Sequence, residues 1–493
     1  MKRFWIILLL LPLLGGCHKP DTDDDQLDEE TLNTRYYVNM FGFNVMNSFY
    51  LWCDEIASDL KAWRTDEEPI EKIKTIRYKD AKGEDIDRWT MMTDDYESFM
   101  GDIQGVYKTT GLDFVLYYAD SSHKKVLGVV TFTYAGSPAE KAGLKRGDVF
   151  TKLNGTEMTA DNYADLINGS IYGSVSYEIT LNNGASVTLT PTVMVEDAVN
   201  VVRVLEVGDK KVGYIHYTSF TLMSLSNLMK TFGDFKARGI DELVLDLRYN
   251  GGGYVRTCTI LGSLIAPLEA VNAGSVFTRE IYNARLTEAW GEDPNCFQAD
   301  FGDVNVATGV NVKCPAAQNN CDLQRLYVLV SASSASASES LICGLKPYMD
   351  VCVIGKQTHG KYCGGLPISA TSWYDSVKEQ LEDGVYDKAQ PYIGNWGIYV
   401  MYSRYADCNG VTLSMPDGIK PDITEDDDPL DGFALGDPHE TMLSEALVRI
   451  AGGVQPASAP QARTRAIDPD LAIPTPDALR RPGFGVLVSD PHR

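Results

Sequence analysis

The sequence predicts an α/β domain on a mostly parallel buried sheet with crossover helices, joined to a small β-rich domain and a helical N-terminal segment. Three apolar runs predict the sheet: Leu243-Val244-Leu245-Asp246-Leu247, Leu326-Tyr327-Val328-Leu329-Val330 and Val351-Cys352-Val353-Ile354. Unbroken apolarity, as opposed to alternation, marks strands covered on both faces. Residues 337–346, between the second and third runs, are long enough for a crossover helix, and glycine- or serine-rich loops follow the strands. In open α/β sheets, chemistry gathers beyond the carboxyl ends of the strands.

The elements follow in chain order. Met1-Lys2-Arg3 is cationic, and Phe4 to Leu14 is an apolar run of eleven residues. That is too short for a spanning helix and suits a signal peptide. Leu14-Gly15-Gly16-Cys17 resembles a bacterial lipobox, which implies a lipoprotein signal over 1–17 and lipidation of Cys17. The expected location is then the bacterial cell envelope, in the periplasm or at the outer-membrane surface, with membrane contact through the lipid alone. An acidic linker follows over 18–33. Residues 34–104 read as a helical N-terminal domain, with apolar spacing over 36–63 that suits an amphipathic helix.

A β-rich domain is expected over 105–195. Gly136-Ser137-Pro138-Ala139-Glu140-Lys141-Ala142-Gly143 predicts a short helix closed by glycine, and Gly147-Asp148 a turn into the strand Val149–Leu153. This helix, turn and strand resemble the signature of a PDZ domain. Gly111-Leu112-Asp113-Phe114 then resembles the PDZ loop whose N–H groups receive a peptide carboxylate. The α/β domain is expected over 200–450. It includes a hairpin of residues 397–402 and 411–413 about Asn409-Gly410. Residues 453–493, rich in Pro, Ala and Arg, read as a disordered tail.

Composition narrows the function. A net charge of −24 would repel phosphates and excludes nucleic acid as a partner. Nine cysteines remain after Cys17, so they cannot all pair within one chain. Cys314 and Cys321 suit a disulfide, while Cys343 and Cys352 suit buried thiols. No CxxC or HExxH motif is present and histidines number six, so neither a metal nor another cofactor is expected.

Three segments carry chemistry. Ser333-Ser334-Ala335-Ser336-Ala337-Ser338-Glu339 lies between a strand and a helix, where Ser336 with Glu339 also forms a capping-box pattern. Gln357-Thr358-His359-Gly360-Lys361 places a lysine in a loop beyond the next strand. A lysine held against an apolar core loses its proton more readily and can deprotonate a hydroxyl. Asp246-Leu247-Arg248-Tyr249-Asn250-Gly251-Gly252-Gly253 offers backbone N–H groups that, with that of Ala337, could receive an oxyanion. A phosphate-binding loop is a rival reading of these glycines, though the Gly-Lys-Ser/Thr ending is missing. A hydrolase pairing Ser336 with His359 or His216 is another, though no GxSxG surrounds the serine.

The order DLRxNGGG, SASASE and GK, behind a PDZ-like domain, resembles the C-terminal processing (tail-specific) serine peptidases over roughly residues 90–425, with Gly418-Ile419-Lys420-Pro421-Asp422 included. The resemblance implies a ClpP/crotonase-like catalytic domain with Ser336 as nucleophile and Lys361, 25 residues later, as general base. Glu339 and Thr358 match supporting positions. It further implies an endopeptidase that cuts proteins near their C-termini through an acyl-enzyme; the alternative is a silent peptide-binding lipoprotein on the same fold. One departure stands out. Many relatives carry glutamine four residues after the lysine, where this chain has Gly365.

Overall fold

The computed structural model describes residues 27–173, 175–292, 294–452, 471–473 and 487–488. The signal segment, Cys17 and most of the acidic linker lie outside the described residues, as does most of the tail. Among the described residues, no helix is long and apolar enough to cross a membrane.

A six-stranded sheet runs in the order Val199–Val207, Lys210–Tyr217, Glu242–Asp246, Arg325–Val330, Asp350–Gly355, Ile423–Thr424. Its first pairing is antiparallel and the rest are parallel. The three apolar runs are therefore neighbours in register, with Leu245 beside Val328 and Val328 beside Val353. Strand residues alternate between faces, and both faces are covered. Leu243 and Leu245 pack with the helices Leu225–Arg238, Val255–Ile265 and Ala337–Leu345. Val244 and Leu329 pack with Leu443 and Leu447 of the helix Thr441–Ile450.

Parallel pairing does not extend through the rest of the chain. In a second sheet, Gly397–Asp407 runs antiparallel to Cys363–Ser369, to Val276–Tyr282 and to Met91–Thr93. The expected hairpin does not form: the turn closes through Gly410 N–H on Asp407 C=O at 3.1 Å, but residues 411–413 are not a strand. The apolar run after Gly397 is matched instead by long-range partners and by a helical cover. The N-terminal helix Glu29–Phe49 is capped by Asp28, which accepts Thr31 N–H at 2.7 Å. Its Val38, Phe41 and Met46 share one core with Tyr374, Tyr399 and Val400. The segment 34–104 thus has its core in common with the second sheet.

Residues 112–189 form an antiparallel sheet around Phe114, Val130, Phe150, Leu153 and Ile179. The expected short helix is Pro138–Lys141, capped by Ser137. The turn after it carries Arg146, which donates to Asp427 at 2.6 Å and to the Tyr249 hydroxyl at 3.0 Å. Arg248 joins the same cluster with bonds of 2.6 and 2.9 Å to Glu440, 2.7 Å to Asp427 and 3.0 Å to Asp246. Burial opposes ionisation of Asp427, but Arg146 and Arg248 outweigh it and hold the carboxyl well below the usual range. This ionic cluster fastens the small sheet to the large one.

All nine described cysteines are free thiols. Cys314 and Cys321 form no disulfide; their sulfurs face the carbonyls of Val312 and Phe232 at 3.5 and 3.9 Å. Of the tail expected to be disordered, Ala472–Ile473 and Leu487–Val488 are β-paired.

Candidate active site

Ser336 is the N-cap of the helix Ala337–Leu345, directly after the loop that follows Arg325–Val330. Its φ of +62° and ψ of −110° are costly for a residue with a Cβ, and such strain persists only where neighbours enforce it. The enforcement is visible. Glu339 accepts Ser336 N–H at 2.9 Å, and Ala335 N–H donates to Asn250 C=O at 3.0 Å. Ser336 is fully buried; its Oγ faces the Glu339 N–H in the capping box expected from the sequence, without a well-formed hydrogen bond.

Glu339 organises more than the serine. Its buried carboxylate also accepts Thr358 Oγ1 at 2.5 Å, Gly360 N–H at 2.8 Å and Lys361 N–H at 2.9 Å. Burial pushes its own pKa up, partly countered by those four donors. One carboxylate therefore ties the serine turn to the lysine loop. Residues 416–419 brace that loop from outside. Thr358 Oγ1 accepts Ile419 N–H at 2.7 Å, and a Cβ on Gly360 would fall 1.9 Å from Pro416 C=O.

Lys361 is fully buried, and desolvation lowers its pKa from 10.5 to about 8. Its Nζ donates to Tyr399 Oη at 3.1 Å and lies 5.5 Å from the Trp89 ring centre. The expectation that this amine bonds the Ser336 hydroxyl is not met in this structure, because that hydroxyl has no partner. Catalytic hydrogen bonds are often long without substrate and tighten only in its complex.

Asn250 stitches the glycine loop to the serine turn. Besides receiving Ala335 N–H, its C=O accepts Ser338 Oγ at 3.1 Å, and its side chain donates to Tyr217 C=O at 2.9 Å. Its Oδ1 accepts Gly252 N–H at 2.9 Å, so this amide, expected to face an oxyanion, is engaged within the loop. At Gly253, φ is +142° and a Cβ would meet Phe220 C=O at 2.6 Å, which explains a glycine there.

In the 111–114 loop, Gly111 has φ +70° and its N–H is taken by Thr109 Oγ1 at 3.0 Å. Asp113 accepts Thr131 Oγ1 at 2.6 Å, while Phe114 lies in the core against Phe150. Gly111 and Leu112 line a cavity that continues past Tyr134 and Thr218 to Gly251, connecting this loop to the glycine loop.

Sequence reasoning missed Tyr399, Trp89 and Asp87, all close to Lys361. One signal for Tyr399 existed, namely Gly365. A Cβ there would lie 2.2 Å from Tyr399 Cζ, so the missing side chain is the space the tyrosine ring fills. Tyr399→Phe is expected to lower kcat about tenfold, the value of one hydrogen bond to an ionisable group. KM should change little and the pH profile should move; an unchanged kcat and profile would show that Tyr399 does not position the amine.

Residues 211–425 match the model described as peptidase family S41, and residues 129–180 match the PDZ domain. The chloroplastic C-terminal processing peptidase of Tetradesmus obliquus is 26% identical over 340 residues, 64% of this chain and 60% of that one. The "Probable CtpA-like serine protease" of Staphylococcus aureus (strain N315) is 26% identical over 249 residues, 50% of this chain and 45% of that one. The chain thus spans about half the length of these curated relatives. A crystal structure of an S41-type protein from Bacteroides fragilis NCTC 9343 is similar in fold, with a TM-score of 0.62 at 21% identity, over 88% of this chain and 99% of that one.

Proposed function

We infer, for a chain whose residues 211–425 belong to peptidase family S41 and whose residues 129–180 are a PDZ domain, a serine endopeptidase that cuts proteins near their C-termini. The observation that carries this reading is Glu339, whose one buried carboxylate holds the backbone of both Ser336 and Lys361. In the proposed reaction, Ser336 Oγ attacks the scissile carbonyl carbon as its proton passes to neutral Lys361 Nζ. The oxyanion accepts the N–H groups of Ala337 and Gly251. Collapse breaks the C–N bond, and Lys361 returns the proton to the leaving amine. Water, deprotonated by Lys361, then attacks the acyl carbon; the C–O bond to Ser336 breaks, and Lys361 returns the proton to Ser336 Oγ as the acid leaves.

The six-stranded sheet, covered by helices on both faces, supports a ClpP/crotonase-like reading of 200–450, with 105–195 as the peptide-selecting domain. We read Cys17 as a lipid anchor in the bacterial envelope, with protein C-termini as substrate and no nucleic-acid partner. Mass spectrometry of the mature N-terminus tests that.

The pH profile of kcat on a disordered protein tests the enzyme. Lys361 must be neutral to act, and its pKa lies near 8. Activity should therefore climb from pH 7 to 9 with its midpoint near 8. A profile flat across that interval removes lysine as the base. No cleavage at any pH leaves the silent peptide-binding reading.

A further inference from the structure

Ala472–Ile473 and Leu487–Val488 each complete a sheet where an extended polypeptide would be held. Ala472 and Ile473 pair antiparallel with Tyr117 and Leu116, covering the edge of the strand Leu112–Tyr118 that begins in the 111–114 loop. The Ile473 side chain packs on the core of that domain. Leu487 and Val488 pair in parallel with Gly253 and Tyr254, and Val488 also with Gly365.

The second pairing is the more telling. In sheet order, Leu487–Val488 lies between Gly253–Tyr254 and Cys363–Ser369. One wall follows the glycine loop, and the other starts two residues after Lys361. Adjacent strands are about 4.8 Å apart, so the walls flank a slot one strand wide. What fills it is backbone of this same chain. Main-chain pairing is tolerant of sequence, so any extended polypeptide could take the same place.

We propose that these two strands are a built-in occupant of the polypeptide channel, which substrate must displace; the word substrate rests on the endopeptidase reading above. A tethered segment competes at an effective concentration on the order of millimolar, enough to outcompete a weak ligand in solution. Each strand is only two residues long, so release is local and needs no unfolding of either domain.

The test compares the full chain with the full chain bearing Ile473→Asp and Val488→Pro. The first change puts a charge on an apolar face, and the second removes a ladder N–H. Amide hydrogen exchange over 112–118 and 363–366 should quicken about tenfold in the variant, reporting loss of about 1.4 kcal/mol of protection. KM for casein should fall by a similar factor with kcat unchanged, and a synthetic peptide of residues 468–490 should inhibit the variant competitively. Equal exchange in the two chains overturns the proposal, as does an equal KM. Faster exchange in chains that both fail to cut casein would uphold the occupancy and sink the endopeptidase reading instead.

Discussion

Ser336→Ala is expected to cut hydrolysis of a disordered protein by at least about 10⁴-fold, the scale on which a serine nucleophile acts. The hydroxyl is buried and faces the Glu339 N–H in a capping box without a well-formed hydrogen bond, so little structural bonding is lost with it. Stability should therefore hold, and Ser336→Gly should go further. With φ at +62°, glycine adopts the turn without the cost a Cβ imposes, which predicts a gain of about 1 kcal/mol in thermal unfolding. Loss of activity together with retained or increased Tm would mark a residue kept for chemistry at some expense to the fold. Undiminished cleavage by the alanine variant would remove Ser336 from the reaction.

Lys361→Met should be as damaging to turnover and should also stabilise the protein. The sign follows from proton linkage. Between about pH 8, the folded pKa, and 10.5, the ordinary value, the unfolded chain binds a proton that the folded chain does not. Stability of the native sequence therefore rises with pH across that interval, and below it the full penalty applies. A shift from 10.5 to about 8 corresponds to roughly 3 kcal/mol. Methionine fills similar space without charge, so the variant should be more stable by about that amount at pH 7, with the difference vanishing above pH 10. Denaturant unfolding at pH 7 and pH 10 measures both. A variant less stable at pH 7 would mean that the ammonium contributes favourably where it lies.

The parts of this architecture legible in the sequence were those written locally. Three unbroken apolar runs specified the parallel strands, because double-sided burial leaves no room for alternation. Ser336, Glu339, Thr358 and Lys361 were legible through the family resemblance, and the structure brings the Ser336 and Lys361 N–H groups and the Thr358 hydroxyl onto the Glu339 carboxylate. Contacts made across long separations were not. Residues 397–402 read as a hairpin arm, yet the strand Gly397–Asp407 finds its partners at 91–93, 278–282 and 363–369. Trp89 sits in a segment whose own pattern says only that it packs on something. The engagement of the Gly252 amide was not legible, because Asn250 was quoted for its place in a motif and not for a side chain that takes that N–H. The tail misled for another reason. Its pairing uses main-chain groups that every residue carries, so composition could not announce it.

The buried ionic cluster bears on how a polypeptide can reach Ser336. Arg146, in the small domain, and Arg248, beside the glycine loop, share Asp427. Pulling either guanidinium away would strand the carboxylate in a dry environment, a penalty of about 3–5 kcal/mol. A swinging gate is a poor description of such a joint. The small domain is pinned at this joint, and any motion that separates Arg146 from Asp427 carries that penalty.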